Sequence, residues 1–96
     1  MAMDHYDVGK MRSTVSDIRS EITAYKNAKE ALDTTVTGMQ NYWQDENNQK
    51  YVAKYNKDLK PTAEGVQKLM ETYATFLEDA ANAVEKAMNT GNAAIN

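Results

Sequence analysis

Few residues in this 96-residue chain have the chemistry to act as catalysts, and their spacing does not suit them to it. His5 is the only histidine, and cysteine is absent. A di-metal carboxylate bundle needs Glu-x-x-His pairs on its helices, and a helical zinc peptidase site needs two histidines on one face. Neither pattern occurs. An activated nucleophile needs a neighbouring base, and no such pair can be assembled from one histidine and no thiol. Nor is there a glycine-rich phosphate loop, and Asp and Glu fall at outward-facing spacings. The residues therefore predict no enzyme, no metal and no cofactor, with His5 on the surface. What remains is recognition chemistry. Trp43 is the only tryptophan, and Tyr42 and Tyr51 flank it. Exposed aromatic clusters mark protein contacts, but Trp43 also continues an apolar helical seam. Its first expected role is to close the end of a helical core. Tyr25, Tyr55 and Tyr73 fall on core phases.

The bulk properties narrow the partners. The net charge of −3 argues against a phosphate-neutralising, nucleic-acid-binding face. Without cysteines there is no disulfide framework and no thiolate metal site. No stretch reaches the ~18 apolar residues of a membrane span. Met1 to His5 lacks the basic segment and apolar core of an ordinary secretory signal. These features predict one soluble domain with no stable membrane span.

Hydrophobic periodicity supplies the elements that place the aromatics. Alternating steps of three and four from Val8 reach Met11, Val15, Ile18, Ile22, Tyr25, Lys29, Leu32, Val36 and Met39, with Lys29 the single polar residue. The next step lands on Trp43. This is a heptad seam on an amphipathic helix of roughly 35 residues, about 50 Å long. The opposite face carries Ser13, Ser20, Asn27, Thr34 and Asn41. A second seam runs Val52, Tyr55, Leu59, Thr62, Val66, Leu69, Tyr73, Phe76, Ala80, Ala83 and Ala87. Its outer face, Lys50, Lys57, Glu64, Glu71, Glu78 and Glu85, is charged throughout and reads as solvated. Asp45 is suited to cap the second helix, with Glu46 in its first turn. Pro61 predicts a kink that Gly65 loosens further, and Gly91 suits a C-cap. The predicted architecture is all-α: helix 1 about 5–41, a turn about 42–46, helix 2 about 46–89 and a flexible tail 90–96, forming one antiparallel hairpin domain.

A two-helix hairpin has one thin core, so a second apolar surface is expected to be covered by a partner. Two further stripes offer one. On the first helix, Ala24, Ala28, Ala31, Thr35 and Gly38 are small. On the second, Met70, Ala74, Leu77, Ala81, Val84 and Met88 step by four and three. The small stripe lies near the turn and the larger one near the open end. They meet when two hairpins pack antiparallel, which predicts a dimeric four-helix bundle. The expected interface residues are Ala24, Ala28, Ala31, Gly38, Met70, Leu77, Val84 and Met88.

With Trp43 at the turn between two amphipathic helices, the chain resembles the WXG family of early-secreted-antigen-like proteins. The resemblance covers most of the chain and is strongest from Tyr42 to Ala87, through Tyr51, Tyr55 and Leu59-Lys60-Pro61. It implies a helical hairpin that dimerises with itself or a related small helical protein. It also implies export by a type VII (ESX-like) system, engagement of that system's ATPase, and secretion without a cleavable signal. The family's Trp-x-Gly turn reads Trp43-Gln44-Asp45 here. Glycine supplies backbone freedom at a tight turn, and Asp tolerates left-handed geometry better than most residues. A Tyr-x-x-x-Asp/Glu export signal after the second helix is missing between Ala87 and Asn96. Tyr73 has Leu77 at the required spacing with Glu78 one residue late, while Tyr42 to Glu46 matches the letters within the turn.

The leading expectation is a small exported effector or co-secreted substrate, working by protein contacts as a dimer. The alternative is an adaptor that pairs with a larger exported toxin. A membrane-active role fits poorly, because the polar faces lack the Lys/Arg enrichment of surface-binding helices. A cytosolic coiled coil without export is the remaining reading.

Overall fold

A computed structural model of the chain describes the backbone of residues 6–95 and the side chains of residues 6–90. His5 lies outside the described residues. The all-α antiparallel hairpin expected from the periodicity is the architecture observed. Helix α1 spans Val8–Gly38 and tightens into a 3₁₀ turn at Met39–Asn41. The chain then reverses into α2, Glu46–Lys54, followed by a π turn at Tyr55–Leu59 and helix α3, Lys60–Ile95. Both arms start on an aspartate. The Asp7 carboxylate accepts the Lys10 N–H at 3.0 Å, and the Asp45 carboxylate accepts the Asn48 N–H at 2.9 Å. Each satisfies one of the orphan donors of a first helical turn. Helix α3 continues through Gly91 to Ile95, past the expected cap at that glycine.

The two arms pack along one seam, giving a rod of 75 × 19 × 18 Å. On α1 the seam is the one the periodicity predicts. Val15 and Ile22 are buried, and Val8, Met11, Ile18, Tyr25, Val36 and Met39 are half-buried. Lys29, the polar interruption, also lies half-buried on this line, whereas Leu32 turns outward.

On the second arm the predicted seam holds through Val52 and Tyr55 and then fails. Beyond the π turn the buried residues are Ala74 and Ala81, with Ala63, Met70, Leu77 and Val84 half-buried beside them. Each lies one residue later than the predicted seam. Val66, Leu69, Tyr73 and Phe76, expected in the core, are exposed. The cause is the π turn, in which the Lys60 N–H bonds to the Tyr55 carbonyl five residues back. One such turn accommodates one extra residue, so every downstream position is rotated by about 100° relative to a continuous α-helix.

Pro61 explains why the turn sits there. In an α-helix its ring would strike the Lys57 carbonyl, to which it has no N–H to offer. Widening the preceding turn relieves that conflict, and Thr62 Oγ1 donates to the Asp58 carbonyl at 2.8 Å. The disruption expected at Pro61 is thus a π turn on its N-terminal side.

The same rotation corrects the reading of the charged row as a purely solvated outer face. Arg12 bonds Glu85 at 3.1 Å and Arg19 bonds Glu78 at 3.3 Å, across the hairpin. These pairs step by seven residues on each arm in opposite directions. They follow the antiparallel register that brings Val15 level with Ala81 and Ile22 level with Ala74. The acidic end of the second arm, unfavourable against the helix dipole, thereby finds its counter-charges on α1.

Candidate protein interface

Two places on the hairpin present recognition chemistry: the tip and one flank of α3. At the tip, the Trp43 backbone N–H bonds the Met39 carbonyl at 2.8 Å, which places the residue just past the 3₁₀ turn. Trp43 is half-buried and stacks at a tilt on Tyr51, with ring centroids 5.7 Å apart and planes at 47°. Tilted aromatic pairs at this distance are favourable beyond their buried area. Trp43 therefore closes the end of the seam, while Tyr42 and Tyr51 remain exposed.

Asp45, at the place of the family's glycine, has φ −146° and ψ −179°, and no described residue has a positive φ. This turn does not use the left-handed geometry that glycine would supply. Position 45 instead needs a side-chain acceptor for α2. The Asn48 N–H holds the Asp45 carboxylate below the usual carboxylate range.

Beside the π turn the arms frame a cleft of about 620 Å³ lined by Lys29, Leu32, Asp33, Tyr55, Leu59 and Lys60, among others. Lys60 pairs with Asp33 at 3.3 Å, and the Tyr25 hydroxyl donates to the Ala63 carbonyl at 3.0 Å. Burial, together with the negative charge of Asp33, raises the Tyr55 phenol above its ordinary value. These contacts fasten the arms where the π turn loosens the helix. Opposite charges line the cleft in equal measure, so it selects no ligand charge. Among the described residues no cluster of His, Asp or Glu is arranged to hold a metal ion.

The flank of α3 is the larger feature. Leu69 is 71%, Tyr73 56% and Phe76 65% exposed, with Val66 in the same row. Each precedes a seam residue by one position, so the row lies about 100° round the helix on one side. Glu78 and Glu85 each follow a seam residue by one position and lie on the other side. One flank of the seam is therefore closed by ion pairs and the other is an uncovered apolar row.

The residues expected at a dimer interface are placed as follows. Ala24, Ala28 and Ala31 are exposed on α1. Gly38 is half-buried, with open space where a Cβ would stand. Met70, Leu77 and Val84 are half-buried in the hairpin's own seam, and Met88 is partly exposed near its open end. The hairpin thus uses three of the four expected α3 residues itself, and the free row is the one read from sequence as the core. Pro61 was the signal that could have located it.

The structure is thus a small helical hairpin with a tryptophan at its tip and an uncovered apolar flank. The family model described as "Proteins of 100 residues with WXG" matches residues 5–87, and the chain belongs to this family, WXG100. Its members are small helical proteins associated with secretion, and they typically pair as dimers. No curated protein and no solved structure matches the chain. No helix among the described residues is long and apolar enough to cross a membrane.

Proposed function

We propose that this chain is a non-enzymatic substrate of a type VII (ESX-like) secretion system that works as a dimer of two hairpins. Membership of a secretion-associated family supports export. The observation that carries the assembly reading is the Val66–Leu69–Tyr73–Phe76 row. A chain of this mass exposes about 5,500 Å² when folded as a compact monomer, whereas this one exposes 7441 Å². Its radius of gyration is 21.7 Å, against about 12–13 Å for a compact domain of this length. Such an excess is what one half of a four-helix bundle would expose. The dimer face is this row, with Ala24, Ala28 and Ala31 as small residues that admit a second hairpin closely. Relative to the interface expected from sequence, the α3 contribution moves one residue round the helix.

Two measurements test the proposal. Light scattering at micromolar concentration is expected to give twice the chain mass, and a monomeric mass would remove the dimer. Fractionation of the native host is expected to find the protein outside the cell only when the membrane ATPase of the secretion system is present. Retention in the cytosol of both strains would remove the export reading.

A further inference from the structure

The second arm carries two apolar rows one residue apart, and a continuous α-helix would bury the wrong one. The spacing through Val52 and Tyr55 runs on to Leu59, Val66, Leu69, Tyr73 and Phe76, interrupted only by Thr62. Only the extra residue at Tyr55–Leu59 turns that row outward and brings Ala63, Met70, Ala74, Leu77 and Ala81 against α1. We propose that Pro61 and its π turn are the positioning elements of the docking face, holding Tyr73 and Phe76 toward a second copy of this chain. The proposal rests on the assembly reading for the identity of that partner, but the assignment of rows within the hairpin does not.

The physical argument is a competition between two windings. A π turn sacrifices good hydrogen-bond geometry and is rare for that reason. Pro61 makes the alternative worse, disfavouring the regular α winding by roughly a hundredfold. The outcome has consequences in both directions. Ala74 and Ala81 are fully buried, which lets α1 and α3 approach closely. With Tyr73 in place of Ala74 the arms would have to separate. The outward face would then carry Met70, Ala74, Leu77, Ala81 and Val84 in place of Leu69, Tyr73 and Phe76, and so would lack the aromatic anchors.

The absence of cysteine from the chain makes the test direct. Ile22→Cys is combined with either Ala74→Cys or Tyr73→Cys in the full chain. Each pair is placed in the native background, with Pro61→Ala, and with Pro61→Ala plus deletion of Asn56. Disulfide closure requires Cα atoms within about 7 Å, so the rate of intrachain closure reports which row faces α1. In the native background only the Ala74 pair is expected to close. With Pro61→Ala, the Tyr73 pair is expected to close at least about tenfold faster than in the native background, as the α winding becomes populated. Deleting Asn56 as well removes the extra residue, so a continuous α-helix now buries the native row. The Ala74 pair is then expected to dominate again, and the dimer mass to return to the native value in the corresponding cysteine-free variant.

Unchanged closure of the Tyr73 pair in a helical Pro61→Ala protein would overturn the proposal, as would closure of that pair in the deletion variant. If Pro61→Ala alone does not fold, the deletion variant decides: native closure and mass support the proposal, and their loss overturns it. A native chain that is monomeric while closure follows the expected pattern would defeat the assembly reading and leave the row assignment standing.

Discussion

The two apolar rows of α3 reverse the usual order of burial. The inner row is built around Ala74 and Ala81, which are fully buried, while the outer row carries Leu69, Tyr73 and Phe76, each more than half exposed. Bulk normally goes inside, because each large apolar side chain gains about 1.5–3 kcal/mol from complete burial. Small residues inside serve a different purpose: they let the two helices approach closely over a long contact. The hairpin leaves the large residues outside mostly exposed, and the proposed assembly is what would bury them. The opposite flank sharpens the contrast. It is closed within one chain by Arg12 and Arg19 on Glu85 and Glu78, and leaves no comparable apolar surface.

The most severe way to break this comparison is to charge the outer row. Tyr73→Asp with Phe76→Asp removes two aromatic anchors of the kind worth about 2–4 kcal/mol each at an interface. It is expected to weaken the dimer by at least about a hundredfold, read by analytical ultracentrifugation. The hairpin's intrinsic stability is expected to move by only about 0.5 kcal/mol. Association also stabilises the fold by mass action. The native Tm should therefore rise with protein concentration, and that dependence should vanish in the double variant. Loss of helix content at every concentration would instead show that the row belongs to the hairpin core.

Enlarging the inner row has the complementary effect. Ala81→Leu inserts bulk where the arms meet and is expected to cost about 1–3 kcal/mol. For a domain of this size each kcal/mol lowers Tm by about 4–8 °C. The fall should appear at high and low concentration alike, because the damage lies within one chain. A Tm unchanged by Ala81→Leu would show that the inner row is looser than Ala81's complete burial implies.

These two rows also mark where the fold stopped being legible in the sequence. The α1 seam from Val8 to Met39, the hairpin and the Asp45 cap follow from local rules: regular three–four spacing and a short side chain placed to accept a first-turn N–H. The facing of α3 does not follow from such rules. Both rows are apolar over the same span, so periodicity alone cannot choose between them, and a one-residue offset leaves no mark on composition. The deciding information is the conflict between Pro61 and the Lys57 carbonyl. It reads from sequence as a kink, but the fold resolves it as an inserted residue. The proposed dimer face differs from the one expected from sequence by the same step. At the turn, the family's glycine suggests a need for left-handed backbone freedom, whereas the extended backbone of Asp45 shows a position that needs an acceptor.

That position gives a smaller test at the tip. Asp45→Ala is expected to destabilise the hairpin, and Asp45→Gly to do so distinctly less, since glycine is itself an acceptable cap. Chemical denaturation resolves the difference. The pH dependence follows from the lowered pKa of Asp45. Its contribution is fully present above the ordinary carboxylate value near ~3.9 and is lost as pH falls below that value through the folded-state pKa. The stability gap between native and Asp45→Ala should therefore close as the solution is acidified below about pH 4. A gap that persists there would mean the cap acts through packing and not through its charge.

The smallest effect belongs to the charged flank, where the contrast with the apolar row is one of kind. Arg19→Ala removes a pair whose side chains are both nearly half exposed, so the expected cost is about 0.2–1 kcal/mol. Added salt should erase most of it, since the Debye length shrinks to about 3 Å at 1 M. Burial in the apolar row responds the other way, because sulfate and similar salts strengthen it. A titration with sodium sulfate therefore separates the flanks in one series. The penalty of Arg19→Ala should shrink while the native dimer tightens. If both weakened together, electrostatics and not apolar burial would be holding the second hairpin in place.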